Sequence, residues 1–191
     1  MVMHRNSRMK SLAGFLTIIA ICAIVWSPTL VSAQDVAVGQ ATATVLAVLA
    51  VTSTHDLAFG DVMQGVPKTA DKTVIADAGV FSVSGAGGQE ISMFMELPDY
   101  LWCSTADSED RLVVAFSSTD ADIDTTAAGT PAAHGTGAVV DQDPYNLPDM
   151  PLGGADNILQ IFLGGSVYPA VDQRAGSYTA DIVLTVAYTG T

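Results

Sequence analysis

The stretch GSYTADIVLTVAYTGT, Gly176 to Thr191, decides the reading of the fold. Its apolar residues fall on every second position, which is the period of a β-strand with one buried face. Tyr178, Ile182, Leu184, Val186 and Tyr188 share the apolar side, and Asp181, Thr185 and Thr189 share the wetter one. Working back along the chain, the same alternation recurs in short stretches separated by Gly, Pro, Asp and Ser. No long stretch repeats apolar residues at three and four, so helix signals are scarce.

The expected strands are ATATVLAVLAVTST (Ala41 to Thr54), HDLAFGDV, KTVIAD, VFSVSG, QEISMFMEL, RLVVAFS, NILQIFL and the closing stretch. Val45 to Val51 is apolar on both sides, which predicts a strand covered on both faces. The glycines Gly85 to Gly88 predict a hairpin between VFSVSG and QEISMFMEL. In the latter, Ile91, Met93 and Met95 alternate with Ser92, Phe94 and Glu96. Ile158, Gln160 and Phe162 oppose Leu159, Ile161 and Leu163, and Gly164-Gly165 turns or bulges the chain into the next strand. Residues from about 117 to 157 are rich in Asp, Ala, Gly, Thr and Pro and read as a long acidic loop with short edge strands. Together these predict an all-β fold, an immunoglobulin-like antiparallel β-sandwich of seven to nine strands.

The chain begins MVMHRNSRMK, followed by the apolar run Leu12 to Trp26 and by SPTLVSAQ. This is the layout of a secretory signal peptide, residues 1–33, cleaved after Val31-Ser32-Ala33. The run is shorter than the roughly 20 residues that span a bilayer. Ile21 before Cys22 is too large for a lipoprotein cleavage site. Residues 34–191 are then a single exported domain, bound for the periplasm, the cell surface or the medium, with no later transmembrane run. Cleavage removes three of the seven basic residues and no acid, leaving four bases against 20 acids and a formal charge of −16 in place of −13. Such a surface repels nucleic acid and anionic membranes. Cys103 is the one cysteine that remains, so no intramolecular disulfide can form, and it is expected as a small buried hydrophobe.

Chemistry-bearing patterns are few. Nucleophilic catalysis needs a nucleophile, a base and a group that orients the base. The histidines beyond the signal are His55, at a strand entrance, and His134, in the Gly/Ala/Thr loop; structural or solvent-exposed roles are expected for both. GVFSVSGAG lacks the spacing of a nucleophile elbow. No catalytic, cofactor or metal residues are therefore assigned, and the protein is read as not an enzyme. Asp120, Asp122 and Asp124 alternate as at the start of a calcium loop, and Asp141, Asp143, Asp149 and Asp156 could fold back to complete an oxygen site. However, the sixth loop position is Thr125 rather than Gly and the twelfth Pro131 rather than Glu. A solvated edge strand or loop is the preferred reading, with calcium the alternative. Tyr100 and Trp102 could stack on a sugar, but a place in the core or at the sandwich rim is favoured for them.

Two stretches carry a family likeness. ATATVLAVLAVTSTHDLAFGDVMQG, with D-L-x-F-G at Asp56 to Gly60, and LQIFLGGSVYPAVDQRAGSYTADIVLTVAY, with Gly164-Gly165 and G-x-Y-T at Gly176 to Thr179, resemble the bacterial exported family known as domain of unknown function 4402. AGVFSVSGAGGQEISMFMELP is similar to the middle strands of that family. The resemblance implies an exported β-sandwich and no particular activity. A looser likeness is to chaperone-usher pilins and spore coat U type proteins, which also end on a strand with Gly and Tyr twelve apart, as Gly176 and Tyr188 are. Here Tyr188 is followed by three residues rather than one, and the usual cysteine pair is missing. In those pilins the last strand borders a groove filled by β-strand addition from another subunit. The resemblance thus implies a secreted structural or surface protein, a fimbria-like or coat-like subunit, with self-assembly or a cell-surface partner. The alternative is a monomeric ligand-binding or adhesion module using the acidic loop and Trp102, its binding calcium-dependent.

Overall fold

A computed structural model describes residues 40–103, 110–127, 129–153 and 157–190. The predicted signal peptide lies outside them. The chain divides into two units, Met1–Ala43 and Thr44–Thr191, and every described strand belongs to the second. Among the described residues there is no helix, and thus none long and apolar enough to cross a membrane.

Among the described residues thirteen strands form three antiparallel sheets, and the architecture is an all-β sandwich. The first sheet has the order β1-β3-β10-β7-β8: Ala50–His55, Gly79–Ser84, Ile158–Leu163, Ala121–Asp124 and Val139–Gln142. The second is β12-β5-β6-β11-β2: Tyr178–Thr179, Tyr100–Cys103, Arg111–Ala115, Gly165–Tyr168 and Lys68–Ala70. The third is β13-β4-β9: Val183–Tyr188, Glu90–Glu96 and Met150–Pro151. The count exceeds the expected seven to nine because short strands of two or three residues, β2, β9 and β12, complete the sheets and because β7 and β8 lie in the stretch expected as a loop. Such pieces leave no alternation long enough to read in a sequence.

One core joins the inward faces of all three sheets. Phe81, Val83, Ile123, Leu159, Ile161 and Leu163 of the first sheet meet Leu112, Val114 and Val167 of the second and Ile91, Met93 and Met95 of the third. These are the alternating positions expected for β4 and β10. Gly164 alone carries the chain from β10 in the first sheet to β11 in the second. A side chain there would press on the Ala70 carbonyl at 2.8 Å, so the crossing needs glycine.

Several local expectations are corrected. The first strand does not run from Ala41 covered on both faces; it begins at Ala50, and Val45 and Val48 before it are 93% and 89% exposed. β3 and β4 form no hairpin, because β3 pairs with β1 and β10 while β4 pairs with β13 and β9. HDLAFGDV contributes only His55, the last residue of β1, and KTVIAD, Lys72 to Asp77, forms turns rather than a strand, β2 lying just before it at Lys68–Ala70. Apolar content matched a strand in each case, but pairing depends on partners that local pattern does not specify. The final stretch splits, β12 closing one sheet and β13 edging another.

The largest correction concerns residues 117–157. They hold β7, fully buried between β10 and β8, together with β8 and β9. Ala121 and Ile123 face the core, and Asp122 and Asp124 face the opposite side, where the chain from 125 to 141 folds over them as a flap.

Candidate functional site

Two places gather the residues that the sequence singled out. The first is an open groove of about 850 Å³ at one side of the sandwich. One wall is the end of β1 and the segment after it, from Ser53 and His55 to Gln64; the other runs from Gln173 to Ile182. Phe81, Leu101, Leu112 and Val114 form the floor. The groove is thus floored by the core itself, which a finished sandwich would cover.

Its borders are sheet edges. β1 ends the first sheet and β12 ends the second, so each presents an edge without a neighbouring strand among the described residues. β13 likewise ends the third sheet, and its inward residues Ile182, Leu184, Val186 and Tyr188 pack on the core yet stay only half-buried. At the far end of β1, the Tyr188 hydroxyl donates to the Ala47 carbonyl at 2.8 Å and accepts from the Ala86 amide at 2.6 Å. Tyr188 therefore ties the end of β13 to the segment leading into β1. Tyr188→Phe removes both bonds and is expected to lower stability by about 1 kcal/mol in urea unfolding. It should also raise hydrogen exchange at Ala86, and an unchanged exchange rate would contradict this role.

The second place is the flap over β7. Asp122 is 2% exposed and accepts from Lys72 Nζ at 2.7 Å, the Asp141 amide at 2.8 Å and His134 Nε2 at 2.9 Å. Asp141 adopts a left-handed φ of 57°, and its carboxylate receives Lys72 Nζ at 2.7 Å. The third donor position of Lys72 goes to the Thr119 carbonyl at 2.6 Å. Burial alone would push the Asp122 carboxyl up. The bonds from Lys72, Asp141 and His134, and the Lys72 charge, outweigh it and hold the carboxyl below its ordinary 3.8. Burial likewise opposes the Lys72 charge, and its bonds to Asp122 and Asp141 reverse the balance, raising it above 10.5.

Asp124 is fully buried and accepts from the Thr126 amide and hydroxyl, both at 2.8 Å, and from the Gly135 amide at 2.6 Å. A Cβ at Gly129 would collide with the same carboxylate. The His134 ring stacks on Phe162 at 5.1 Å, and its Nδ1 is buried with no partner among the described residues. Asp120 caps a turn through the Ser117 amide at 2.8 Å.

Asp122 and Asp124 are therefore neither solvated nor arranged as loop ligands. Their oxygens are engaged by protein donors, and they anchor the flap. Among the described residues no group of three or more His, Cys, Asp or Glu is placed to hold a metal ion; Asp156 lies outside those residues. His134 takes the structural role, and His55 Nδ1 meets the Ala78 carbonyl at 2.7 Å. Cys103 is buried, as expected. Of the two places expected for Trp102, the core is ruled out: it is 44% exposed on the outer face of β5.

Sequence reasoning missed Lys72. Its signal was arithmetic: Lys68, Lys72, Arg111 and Arg174 are the only bases after Ala33, so a buried carboxylate had few partners to choose from. Comparison with protein-family models matches none of them, and comparison with curated protein sequences finds no significant match.

Proposed function

We propose that the protein is a secreted, non-enzymatic structural or surface protein, a β-sandwich subunit that assembles by β-strand complementation. The observation that carries this reading is the groove, an apolar floor between sheet edges whose backbone lacks strand partners among the described residues. Unpaired apolar edges are aggregation hazards unless something pairs with them. A strand laid along the groove would bond to the edges through its backbone and place alternate side chains on the floor.

A donor of suitable chemistry exists in the chain. Gln34 to Ala50 has one charge, Asp35, and alternates small and apolar residues; its described part leaves Val45 and Val48 to solvent. After Asp35 the segment is uncharged in a strongly acidic protein, so its insertion into another copy meets little repulsion along the strand itself.

Deleting Gln34 to Ala43 tests the reading. The intact chain is expected to form ladders on unheated gels and filaments by electron microscopy, and the deleted chain to remain monomeric. An intact protein that is always a monomer would end the assembly proposal.

A further inference from the structure

We propose that the outer face of the β12-β5-β6-β11-β2 sheet is a binding platform for a neutral polysaccharide. Register brings its residues into rows. Val113 on β6 is paired with Tyr100 on β5 and with Tyr168 on β11, so an aromatic, aliphatic, aromatic row crosses three strands. At about 4.8 Å per strand the two tyrosines stand roughly 10 Å apart at the backbone. In the next row Trp102 is paired with Arg111. Trp102, Val113 and Tyr168 are 44%, 43% and 47% exposed, a contiguous display rather than scattered surface residues.

The chemistry of the face is amphipathic. Arg111 lies over the Tyr100 ring at 4.4 Å and has no carboxylate partner among the described residues. Its guanidinium thus keeps N–H donors available beside the rings. Ser166, bonded to Thr69 at 2.8 Å, adds hydroxyls at the margin. No outward-facing position of the five strands is Asp or Glu, in a protein with 20 acids.

These features select the occupant. The net charge of −13 repels polyanions, which removes nucleic acid, anionic lipid and acidic polysaccharide. A stable protein interface covers about 800 Å² per partner around a packed apolar centre. Here the one branched aliphatic side chain in the rows is Val113. A pyranose chain fits both properties: its C–H faces stack on aromatic rings, and its hydroxyls accept from Arg111 and the Trp102 indole N–H.

The test uses the full chain with Trp26→Phe, in which Trp102 is the sole indole. Its emission is followed during titration with laminarin and with cello-oligosaccharides, and retention is measured on insoluble cellulose and chitin. A saturable blue shift with at least one of these glycans, and retention weakened about tenfold or more in Trp102→Ala/Tyr168→Ala, is the expected result, two stacked rings accounting for that factor. The double variant should keep its melting temperature, since both side chains are exposed. No emission change and no retention on any of the four would overturn the proposal. So would a double variant that loses oligomers while retaining glycan binding, which would make the face a protein contact.

Discussion

Asp122→Ala is expected to lower the unfolding free energy by about 3–5 kcal/mol, the cost of breaking a buried charge pair by removing one partner. The substitution leaves Lys72 in its enclosed position with only Asp141 and the Thr119 carbonyl. It also takes the acceptor from the Asp141 amide and from His134 Nε2, whose ring already has a buried Nδ1 without a partner among the described residues. Urea unfolding monitored by fluorescence reads the loss. Replacing both partners, Asp122→Leu with Lys72→Met, should cost less than Asp122→Ala alone, because no uncompensated charge remains. If the double variant were the less stable of the two, the pair would be a net source of stability and this account would fail.

The same group sets a pH dependence. Its folded carboxyl titrates below the ordinary 3.8, so its contribution is fully present above that value and is lost as the pH falls through the folded pKa. The stability gap between the intact protein and Asp122→Ala should therefore hold at neutral pH and close only in acid. A gap that closed already near neutral pH would contradict this account.

Phe162→Ala carries the second large effect, about 3–5 kcal/mol for truncating a fully buried aromatic. Phe162 is 0% exposed, yet it lies on the side of β10 away from the main core, paired with Asp122 and stacked under His134. Its burial is supplied by the flap. The variant is expected to become sensitive to limited proteolysis between Thr125 and Asp141 before the sheets themselves unfold. A loss below about 1 kcal/mol would mean that the flap is not a packed layer, because large aromatic truncations are that mild only where the site is already wet. The two substitutions touch cross-strand neighbours, so their effects should not add.

Particular elements show how far the sequence alone reaches. The inward positions of β4, β10 and β13 follow directly from alternation, since burial of one sheet face imposes a period of two wherever a strand is long enough to display it. The acidic charge is compositional and stands without coordinates. β7 was illegible for a physical reason. ADID reads as polar and solvated, and it becomes a buried central strand only because Lys72, His134, Asp141 and the flap backbone arrive from 50 residues upstream and 19 downstream to satisfy its carboxylates. Likewise, nothing local distinguishes an inward Trp102 from an outward one in YLWC; the pairing of β5 with β6 decides it.

The chain's own order of residues thus determined the fold class, the faces of its longer strands and the absence of charge from Val36 to Ala50. Tertiary structure decided which edges stay open, which carboxylates are buried and which aromatic rings meet solvent. The division is physical: alternation is a property of one strand, whereas an open edge, a paired charge and a groove are properties of strands brought together from distant parts of the chain.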